Sequence, residues 1–465
     1  MQKKEMPMKS NDKDKMIDSL DQYLKLYREH RELLKGKSAP GFNLKREECF
    51  KFLSETGLPA KGSENYEVVD IPEMLAPDYG LNIARIPLDV DVAQGFKCGL
   101  PHLSPMLFFM LDDMWAESRN ARQCLPEGVE VGPLSSYMKE NGEATKYYGK
   151  LADCANPIVA LNTMLCQEGV FIKVKKGVRV ERPLQLVNLL ESAIPMMAVR
   201  RLLVVLEEGA ELRLLSCDHT SAGDNPLASV CVAEVFAGKD SRFEYYDMEE
   251  SGENARRLFA TYVEQQRNSD VLLESFTLHN GMTRNEYHCK FAGRDASLRL
   301  YGVGIEGKEM VLDNYSHIRH CAENCRTEEL FKYIIEDEAQ GAFTGRIYVA
   351  PGAMTTEAYQ SNRNLVTSEK ARMYSKPQLE IYNDDVKCSH GSATGQFDEM
   401  QLFYMRSRGL SEDEARLLLK QAFTADVINA VNIPLLRDRI QLLVEKRFEG
   451  QDVFCGDCGA CNIKG

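Results

Sequence analysis

The chain has 465 residues, of which 44% are apolar and 27% are charged, a composition typical of folded globular proteins. The length exceeds that of one ordinary core, so that we expect two or three domains. The formal net charge of -13 argues against binding of nucleic acid, because a surface that holds phosphates along a strand needs a strong positive patch.

No apolar segment approaches the roughly 20 residues that a membrane helix requires. The most apolar segment, 194–206, is interrupted by Arg200 and Arg201. The start of the chain is polar nearly throughout and lacks the hydrophobic region of a signal peptide. We therefore predict a cytoplasmic protein that does not bind membranes. Its fourteen cysteines are then reduced thiols, buried residues or metal ligands rather than a disulfide framework.

The first third of the chain, residues 1–155, is predicted to be an α-rich N-terminal region. Apolar residues at helical spacing indicate its two longest helices, which end at Gly36 and Gly57. Shorter helical pieces separated by loops are predicted further along. The predicted helices are 12–35, 47–56, 105–121 and 133–141.

A β-rich core is predicted over residues 156–396. Short runs of alternating apolar residues recur there, separated by turn-forming pairs such as Lys176-Gly177 and Pro351-Gly352. Long helical stretches are scarce before residue 397, which excludes a doubly wound α/β fold. A sandwich, a barrel and a β-solenoid remain, and stacked units of roughly 20 to 25 residues favour the solenoid. The predicted strands are 170–174, 184–190, 201–206, 210–215, 229–235, 271–278, 298–303, 345–349 and 379–382.

The last predicted strand leads into a thiol and an imidazole. Residues 383–385 are short and polar and predict a turn. Cys388 and His390 follow it two positions apart, so that both side chains point to one face if the chain is extended. The pair is either a partial ligand set for a metal or a pair that packs and hydrogen-bonds at an interface without a metal.

The C-terminal part, residues 397–450, is predicted to be a helical domain. Ser411 and Glu414 fit a capping box, and a second helix begins at Asn432 and Pro434. Helices this short cannot bury their apolar faces alone, so that they must dock on the β domain or on a partner. The predicted apolar stripes are Ala415, Leu418, Leu419, Ala422 and Phe423 in the first helix, and Leu436, Ile440, Leu443 and Val444 in the second.

A cysteine-rich tail closes the chain at residues 451–465. Cys455, Cys458 and Cys461 are separated by small residues, which let the backbone wrap a metal, and we predict that they bind an iron–sulfur cluster or zinc. Three thiolates leave one coordination position for a partner. The alternative is a solvated tail whose thiols exchange or have no role.

Two other groups of His and Cys are predicted to be structural. His317, His320, Cys321 and Cys325 resemble a zinc set, but strand parity turns His320 away from the others. Cys217 and His219 repeat the two-residue spacing of Cys388 and His390, and nothing further in the sequence supports a site there.

The segment 313–409 strongly resembles the SufD family, the scaffold subunits of the SUF iron–sulfur assembly machinery, and the likeness extends more thinly back to about residue 155. The paralogous SufB family fits less well, because its matching strand lacks the Cys-Ser-His-Gly run. The cysteine-rich tail is not part of the family pattern. The matching stretches are LDNYSHIRH (312–320), GAFTGRIYV (341–349), AYQSNRNL (358–365), KPQLEIYNDDVKCSHG (376–391) and QLFYMRSRGLSEDEAR (401–416).

This resemblance implies a right-handed parallel β-helix flanked by N-terminal and C-terminal helical regions. It also implies a non-catalytic scaffold that pairs with a SufB-like subunit and binds a SufC-like ABC ATPase through its C-terminal helices. A nascent iron–sulfur cluster would be shared transiently with SufB, close to Cys388 and His390. The chain lacks a nucleotide-phosphate loop of its own, so that ATP would act only through the partner ATPase.

The sequence leaves open whether the isolated chain forms a homodimer and whether a flavin binds the complex. Two other functions compete with the scaffold. One is a β-helical polysaccharide lyase or hydrolase, a class that is usually exported. The other is a carrier of iron–sulfur clusters or zinc that acts through the cysteine-rich tail.

Overall fold

The computed structural model describes residues 10–86, 103–116, 119–140, 142–220 and 225–450. Within these ranges the α-helices are α1 Ser10–Lys37, α2 Arg46–Thr56, α3 Ile71–Met74, α4 Arg119–Gln123, α5 Leu134–Lys139, α6 Pro157–Leu165, α7 Glu399–Ser407, α8 Glu412–Ile428 and α9 Pro434–Phe448, with 3-10 turns at Pro40–Asn43 and Ala144–Lys146. The strands are β1 Leu107–Leu111, β2 Met114–Ala116, β3 Val129–Pro133, β4 Glu168–Val174, β5 Leu184–Leu190, β6 Met196–Leu206, β7 Glu211–Thr220, β8 Leu227–Ala237, β9 Arg242–Glu250, β10 Ala255–Gln265, β11 Asp270–His279, β12 Met282–Phe291, β13 Ser297–Glu306, β14 Val311–His320, β15 Arg326–Ile335, β16 Gln340–Val349, β17 Thr356–Val366, β18 Arg372–Ile381 and β19 Val386–Gly395.

The strands from β4 onward form a parallel β-solenoid, which confirms the predicted fold class. Consecutive strands alternate between two sheets, so that each coil of the chain contributes one strand to each. Sheet I has the order β19-β17-β15-β13-β11-β9-β7-β5-β1-β2, and sheet II has the order β18-β16-β14-β12-β10-β8-β6-β4-β3. β18 and β19 make up the last coil. In the described part of the chain, no helix has the length and apolar character needed to cross a membrane.

The coils are longer than the predicted repeat of roughly 20 to 25 residues. Arg256 pairs with Met282, an advance of 26 residues, and Gln340 pairs with Arg372, an advance of 32. The prediction was wrong because most coils hold two strands of about ten residues, whereas the sequence showed only the apolar half of many of them.

Three apolar layers hold the molecule together. The inner core lies between the two sheets and includes Leu214, Val235 and Phe343. The N-terminal helices cover the outer face of sheet II, and α8 and α9 cover the outer face of sheet I. Burial of apolar surface at roughly 25 cal/mol per Å² makes these layers the main source of stability.

The predicted N-terminal helices are confirmed for 12–35, 47–56 and 133–141, which correspond to α1, α2 and α5. The helix predicted over 105–121 is wrong, because Leu107–Leu111 forms a strand that pairs in parallel with β5. Its aromatic and apolar side chains, Phe108 and Phe109 among them, favour a pleated surface next to an existing strand. The described part of 1–155 therefore also supplies β1, β2 and β3 to the two sheets.

Cys49 and Cys154 form a disulfide that links α2 to the loop before α6. This pair departs from the prediction of reduced thiols, buried residues or metal ligands, although a single bridge is not a disulfide framework. Both cysteines are buried where α2 and α6 pack together, with Cα atoms 5.3 Å apart. The remaining cysteines within the described residues are free.

The C-terminal helices α8 and α9 dock on sheet I. This is the first of the two predicted arrangements, in which the helices pack on the β domain rather than on a partner. The capping box is confirmed, since Glu414 N donates to Ser411 Oγ at 3.2 Å and Ser411 N donates to Glu414 Oε2 at 2.8 Å. The stripe predicted for α9 is buried in full. The stripe predicted for α8 is partly wrong, because Leu418 is exposed and the buried face includes Val427 and Ile428 instead.

Five of the buried glutamates have a pKa that burial raises well above its usual range. Burial raises the pKa of Glu249, Glu250 and Glu329 to about 7. It raises the pKa of Glu274 and Glu306 to about 8. These carboxyl groups therefore hold protons in the folded chain at pH values where the unfolded chain has lost them.

The stability of the protein is expected to fall as the pH rises from about 6.5 to about 8. The folded state binds more protons than the unfolded state, in which glutamate has a pKa of about 4.3, so that unfolding becomes easier as the pH increases. Each group lowers the free energy of unfolding by at most about 1.4 kcal/mol per pH unit. This effect ends once the pH has risen past the pKa of the group in the folded state. The urea midpoint measured across this range checks the prediction.

Glu306→Gln is expected to flatten this pH dependence, because it removes one titrating group and keeps the shape of the side chain. Glu55→Gln on the surface of α2 is the matched control and should leave the slope unchanged. Below about pH 6.5 the buried imidazoles of His219 and His320, whose pKa burial lowers to about 4 and about 3, act in the opposite sense. A constant midpoint above that pH would contradict the prediction.

Candidate functional site

Cys388 and His390 lie on β19, the last strand of sheet I, at one end of the solenoid. β19 runs parallel to β17, with Cys388 beside Ala358 and His390 beside Gln360. Ala358 and Gln360 are both buried. Because neighbouring strands in register point their side chains the same way, Cys388 and His390 share the face that continues the solenoid interior.

The two candidate ligands differ in exposure. Cys388 is half-buried and packs against the inner core, whereas His390 is exposed. Burial raises the pKa of the Cys388 thiol, and a backbone hydrogen bond at Ala358 opposes this effect. The thiol is therefore protonated near neutral pH, and it becomes a ligand when a metal displaces its proton.

A buried amide that the sequence analysis did not identify lies beside His390. Gln360 Nε2 donates to Glu329 Oε2 at 2.6 Å. Gln360 Oε1 is buried and has no hydrogen-bond partner within the described residues. Gly345 leaves space for this amide, since a Cβ atom there would lie 2.2 Å from Gln360 Nε2. An isolated glycine in a predicted strand often marks such a close approach, and Gly345 was the available signal.

The last coil leaves one edge of each sheet unpaired. Among the described strands, β18 pairs along its length with β16, and β19 pairs with β17. Their outer edges present unpaired N–H and C=O groups, which favour pairing with another chain. Met373, Leu379 and Val386 are only partly buried here, although they continue the inner core. Cys388 and His390 thus lie at an end of the solenoid core that no other described residues of this chain cover.

Helix α7 exposes an apolar face next to this coil in the sequence. Met400, Phe403 and Tyr404 are 74%, 70% and 58% exposed. Their spacing places them on one side of the helix, while Leu402 is buried. A contiguous exposed apolar patch of this kind marks an interaction surface more often than a solvated one.

The zinc-like group His317, His320, Cys321 and Cys325 does not converge. His317 lies on the outer face of sheet II, whereas His320 is buried and its Nε2 lies 2.9 Å from Thr327 Oγ1. Cys321 is exposed in the turn that follows β14, and Cys325 is buried. The four side chains therefore occupy different surfaces, which agrees with the structural roles predicted for His320 and Cys325.

The remaining predicted candidates are placed as follows. Cys217 and His219 lie on β7, where His219 Nδ1 is 3.9 Å from Glu250 Oε2. Cys455, Cys458 and Cys461 lie outside the described residues. Among the residues that the structure describes, no three His, Cys, Asp or Glu side chains come together as a metal site.

Comparison with known proteins places these features in one family. A family model described as "SUF system FeS cluster assembly, SufBD core domain" matches residues 189–423. A second model, of the SufBD protein N-terminal region, matches residues 17–186. Together they span both the solenoid and most of the region that precedes it.

Similar proteins include an iron–sulfur cluster assembly SufBD family protein of Synechocystis, which is 26% identical over 414 residues covering 87% of this chain and 90% of that protein. The iron–sulfur cluster assembly protein SufD of Escherichia coli is 34% identical over 176 residues, 38% of this chain and 42% of that protein. SufD of Bacillus subtilis is 26% identical over 351 residues, 73% of this chain and 79% of that protein.

Proposed function

Because this chain belongs to the SufBD family of iron–sulfur cluster assembly proteins, we propose that it is a non-catalytic, SufD-like scaffold subunit of a SUF complex. In this proposal it pairs with a SufB-like subunit and with a SufC-like ABC ATPase. The observation that supports it best is the position of Cys388 and His390 on the uncovered last coil. The cytoplasm is the proposed compartment, since it keeps the partly exposed Cys388 thiol reduced, whereas the Cys49–Cys154 disulfide is buried away from solvent.

The chemistry of the pair supports a shared cluster. A thiolate and a neutral imidazole are both ligands of iron–sulfur centres, but such a centre takes more ligands than these two. The missing ligands would come from the SufB-like subunit when its own strands meet β18 and β19. The nascent cluster is then the cargo of the complex, held for a time and passed on.

Gln360 has the position of a residue that orients His390. Gln360 pairs with His390 across the two strands, and its Oε1 has no hydrogen-bond partner among the described residues. Its Nε2 donates a hydrogen bond to Glu329. A histidine that binds a metal through one ring nitrogen usually donates its other N–H to an oxygen of this kind. We assign Gln360 a positioning role, because it acts on the cluster only through His390.

The exposed face of α7 is proposed to receive the ATPase. The adjoining helix α8 is tied to sheet I by Lys332, whose Nζ donates to Phe423 O at 2.7 Å and to Asp426 Oδ2 at 2.6 Å. Lys332 lies on β15, which is followed in sheet I by β17 and then by β19. Movement of the ATPase subunits on ATP binding would reach Cys388 along this route. ATP acts on the chain only through that partner.

Co-expression with a SufB-like subunit and a tagged SufC-like ATPase tests the proposal. The wild-type chain should be recovered with both partners, and the complex should contain iron and sulfide. Phe403→Asp should reduce recovery with the ATPase by about tenfold or more, because it places a charge in the centre of the apolar face. It should leave pairing with the SufB-like subunit intact.

Leu44→Asp is the matched control, since Leu44 is an exposed apolar residue in the N-terminal region. It should retain both partners. Equal recovery of the ATPase with Phe403→Asp and Leu44→Asp would show that α7 is not the docking surface. A complex without iron and sulfide would contradict the scaffold function itself.

A further inference from the structure

We propose that the outer face of sheet II carries a binding site for a phosphate-type oxyanion, separate from the cluster ligands. The site is a cavity of about 280 Å³ between strands β10, β12 and β14 and the loop at residues 150–153. Its lining differs from the rest of this acidic chain, because five of its eleven residues are Lys, Arg or His. The residues that carry the argument are Lys150, Tyr262, His288, Lys290, His317 and Arg319.

The strand register concentrates like charges at this position. His288 of β12 lies beside His317 of β14, and two residues further along Lys290 lies beside Arg319. Like charges opposite one another on neighbouring strands destabilise a sheet unless another charge compensates them. Glu264 balances Lys290, with Nζ and Oε2 3.0 Å apart. Arg319 is left without such a carboxylate among the described residues.

The loop above the strands adds a second cation. Lys150 lines the cavity from the N-terminal side, and it forms no ion pair with a described residue. Asp153 also lines the cavity, and its carboxylate offsets part of the positive charge there. The lining holds three cationic side chains, Lys150, Lys290 and Arg319, against the two carboxylates of Asp153 and Glu264, so that one positive charge remains in excess.

Positive groups surround the imidazole of His317. Burial is the main cause that lowers its pKa to about 4, and the charges of His288, Arg346 and Arg319 act in the same direction against an opposing effect of Glu380. The contribution of these neighbouring charges, as distinct from that of burial, is favourable to a bound anion.

The shape of the site suits a compact, multiply charged anion. The ring of His288 stacks on Tyr262 with centroids 4.4 Å apart, and His288 Nε2 hydrogen-bonds Glu286 Oε2 at 3.0 Å, so that one wall is fixed. The guanidinium of Arg319 and the ammonium of Lys150 can both donate to one phosphate group, as charge-assisted hydrogen bonds require. Free phosphate or pyrophosphate and the phosphate of a nucleotide share this chemistry.

Calorimetric titration of the full chain, in a buffer free of phosphate and at constant ionic strength, tests the site. Inorganic phosphate, pyrophosphate and AMP are the three probes, and binding by at least one with a dissociation constant below about 1 mM is expected. Tighter binding of AMP than of both inorganic anions would assign the site to the phosphate of a larger molecule. Tighter binding of an inorganic anion would assign it to free phosphates.

Arg319→Gln should weaken the tightest probe by roughly tenfold or more, because it removes a charge-assisted hydrogen bond. The matched control is Arg294→Gln, an exposed arginine whose Nε lies 3.4 Å from Asp295 Oδ2. The control should retain wild-type affinity. The absence of binding for all three probes, or equal affinity for the two variants, would overturn the proposal.

A second readout follows the imidazole of His317 by NMR. The charged and titratable groups that act on it are His288, Arg319, Arg346 and Glu380. A bound oxyanion should raise the pKa of His317, since it adds negative charge beside the ring. An identical titration in chloride and in the tightest probe at equal ionic strength would also overturn the proposal.

Discussion

His390→Ala is expected to lower iron–sulfur cluster formation in the assembled complex by at least about tenfold, while the solenoid stays folded. His390 is exposed on the last coil, so that its truncation opens no cavity in the core. In the proposed function its imidazole is one of two ligands on the last coil, and Cys388 alone would not replace it. The measurement is the iron and acid-labile sulfide content of the purified complex, together with its visible absorbance.

His30→Ala is the matched control, because His30 is an exposed histidine on α1, far along the chain from the last coil. It should leave the iron and sulfide content unchanged. Co-purification of the SufB-like subunit with His390→Ala separates a lost ligand from a lost interface. A cluster content equal to that of the control, in an intact complex, would remove His390 from the site.

The positioning role of Gln360 predicts a smaller effect from the same assay. Gln360→Leu keeps the volume of the side chain but removes the oxygen that lies in register with His390. Loss of a group that orients a metal-binding histidine typically weakens metal affinity by about ten- to a hundredfold. The cluster in this variant should therefore form but be lost more readily to a chelator than in the wild-type complex.

The sequence predicted strands well where the interior of the solenoid is apolar. The strand predicted over 184–190 coincides with β5, Leu184–Leu190. β9 and β10 were missed, because charged side chains point inward there and interrupt the apolar alternation. Arg257 of β10, for example, is buried and donates to Asp247 of β9 at 2.8 and 2.9 Å. Such a pair is stable only when both partners are present, which no local pattern reveals.

The candidate site divides in the same way. Cys388 and His390 are two residues apart, so that strand parity alone places them on one face. Gln360 lies beside His390 only because of the register between β17 and β19. Glu329 and Gly345 contact Gln360 from other coils. The number of residues per coil varies, for example from 26 to 32, so that the sequence does not show which residues of successive coils lie side by side. The shared face of the two candidate ligands could therefore be predicted from the chain, and the neighbouring residues from other coils could not.

Arg201 illustrates the same limit and leads to a large effect on stability. In the sequence it only interrupts an apolar segment, but in the structure it is buried on the outer face of sheet II and its Nη1 lies 3.0 Å from Glu234 Oε2. The carboxylate of Glu234 also accepts hydrogen bonds from the backbone N–H groups of Gly149, Leu151 and Ala152, at 2.8, 2.9 and 3.2 Å. This side chain therefore adds a polar attachment between residues 149–152 and the solenoid to the apolar layer that covers sheet II.

Glu234→Ala is expected to lower the free energy of unfolding by about 3–5 kcal/mol, because it leaves the Arg201 guanidinium buried without its counter-ion. The backbone of residues 149–152 also loses its acceptor, so that proteolysis should cut this segment faster in the variant. The urea midpoint and the rate of limited proteolysis are the two measurements. Glu208→Ala is the control, since Glu208 pairs with Lys176 and Lys239 at the surface, where ion pairs contribute little. Equal midpoints for the two variants would show that the buried pair does not stabilise the protein, whereas a loss confined to Glu234→Ala would show that this carboxylate supports the packing of residues 149–152 on sheet II.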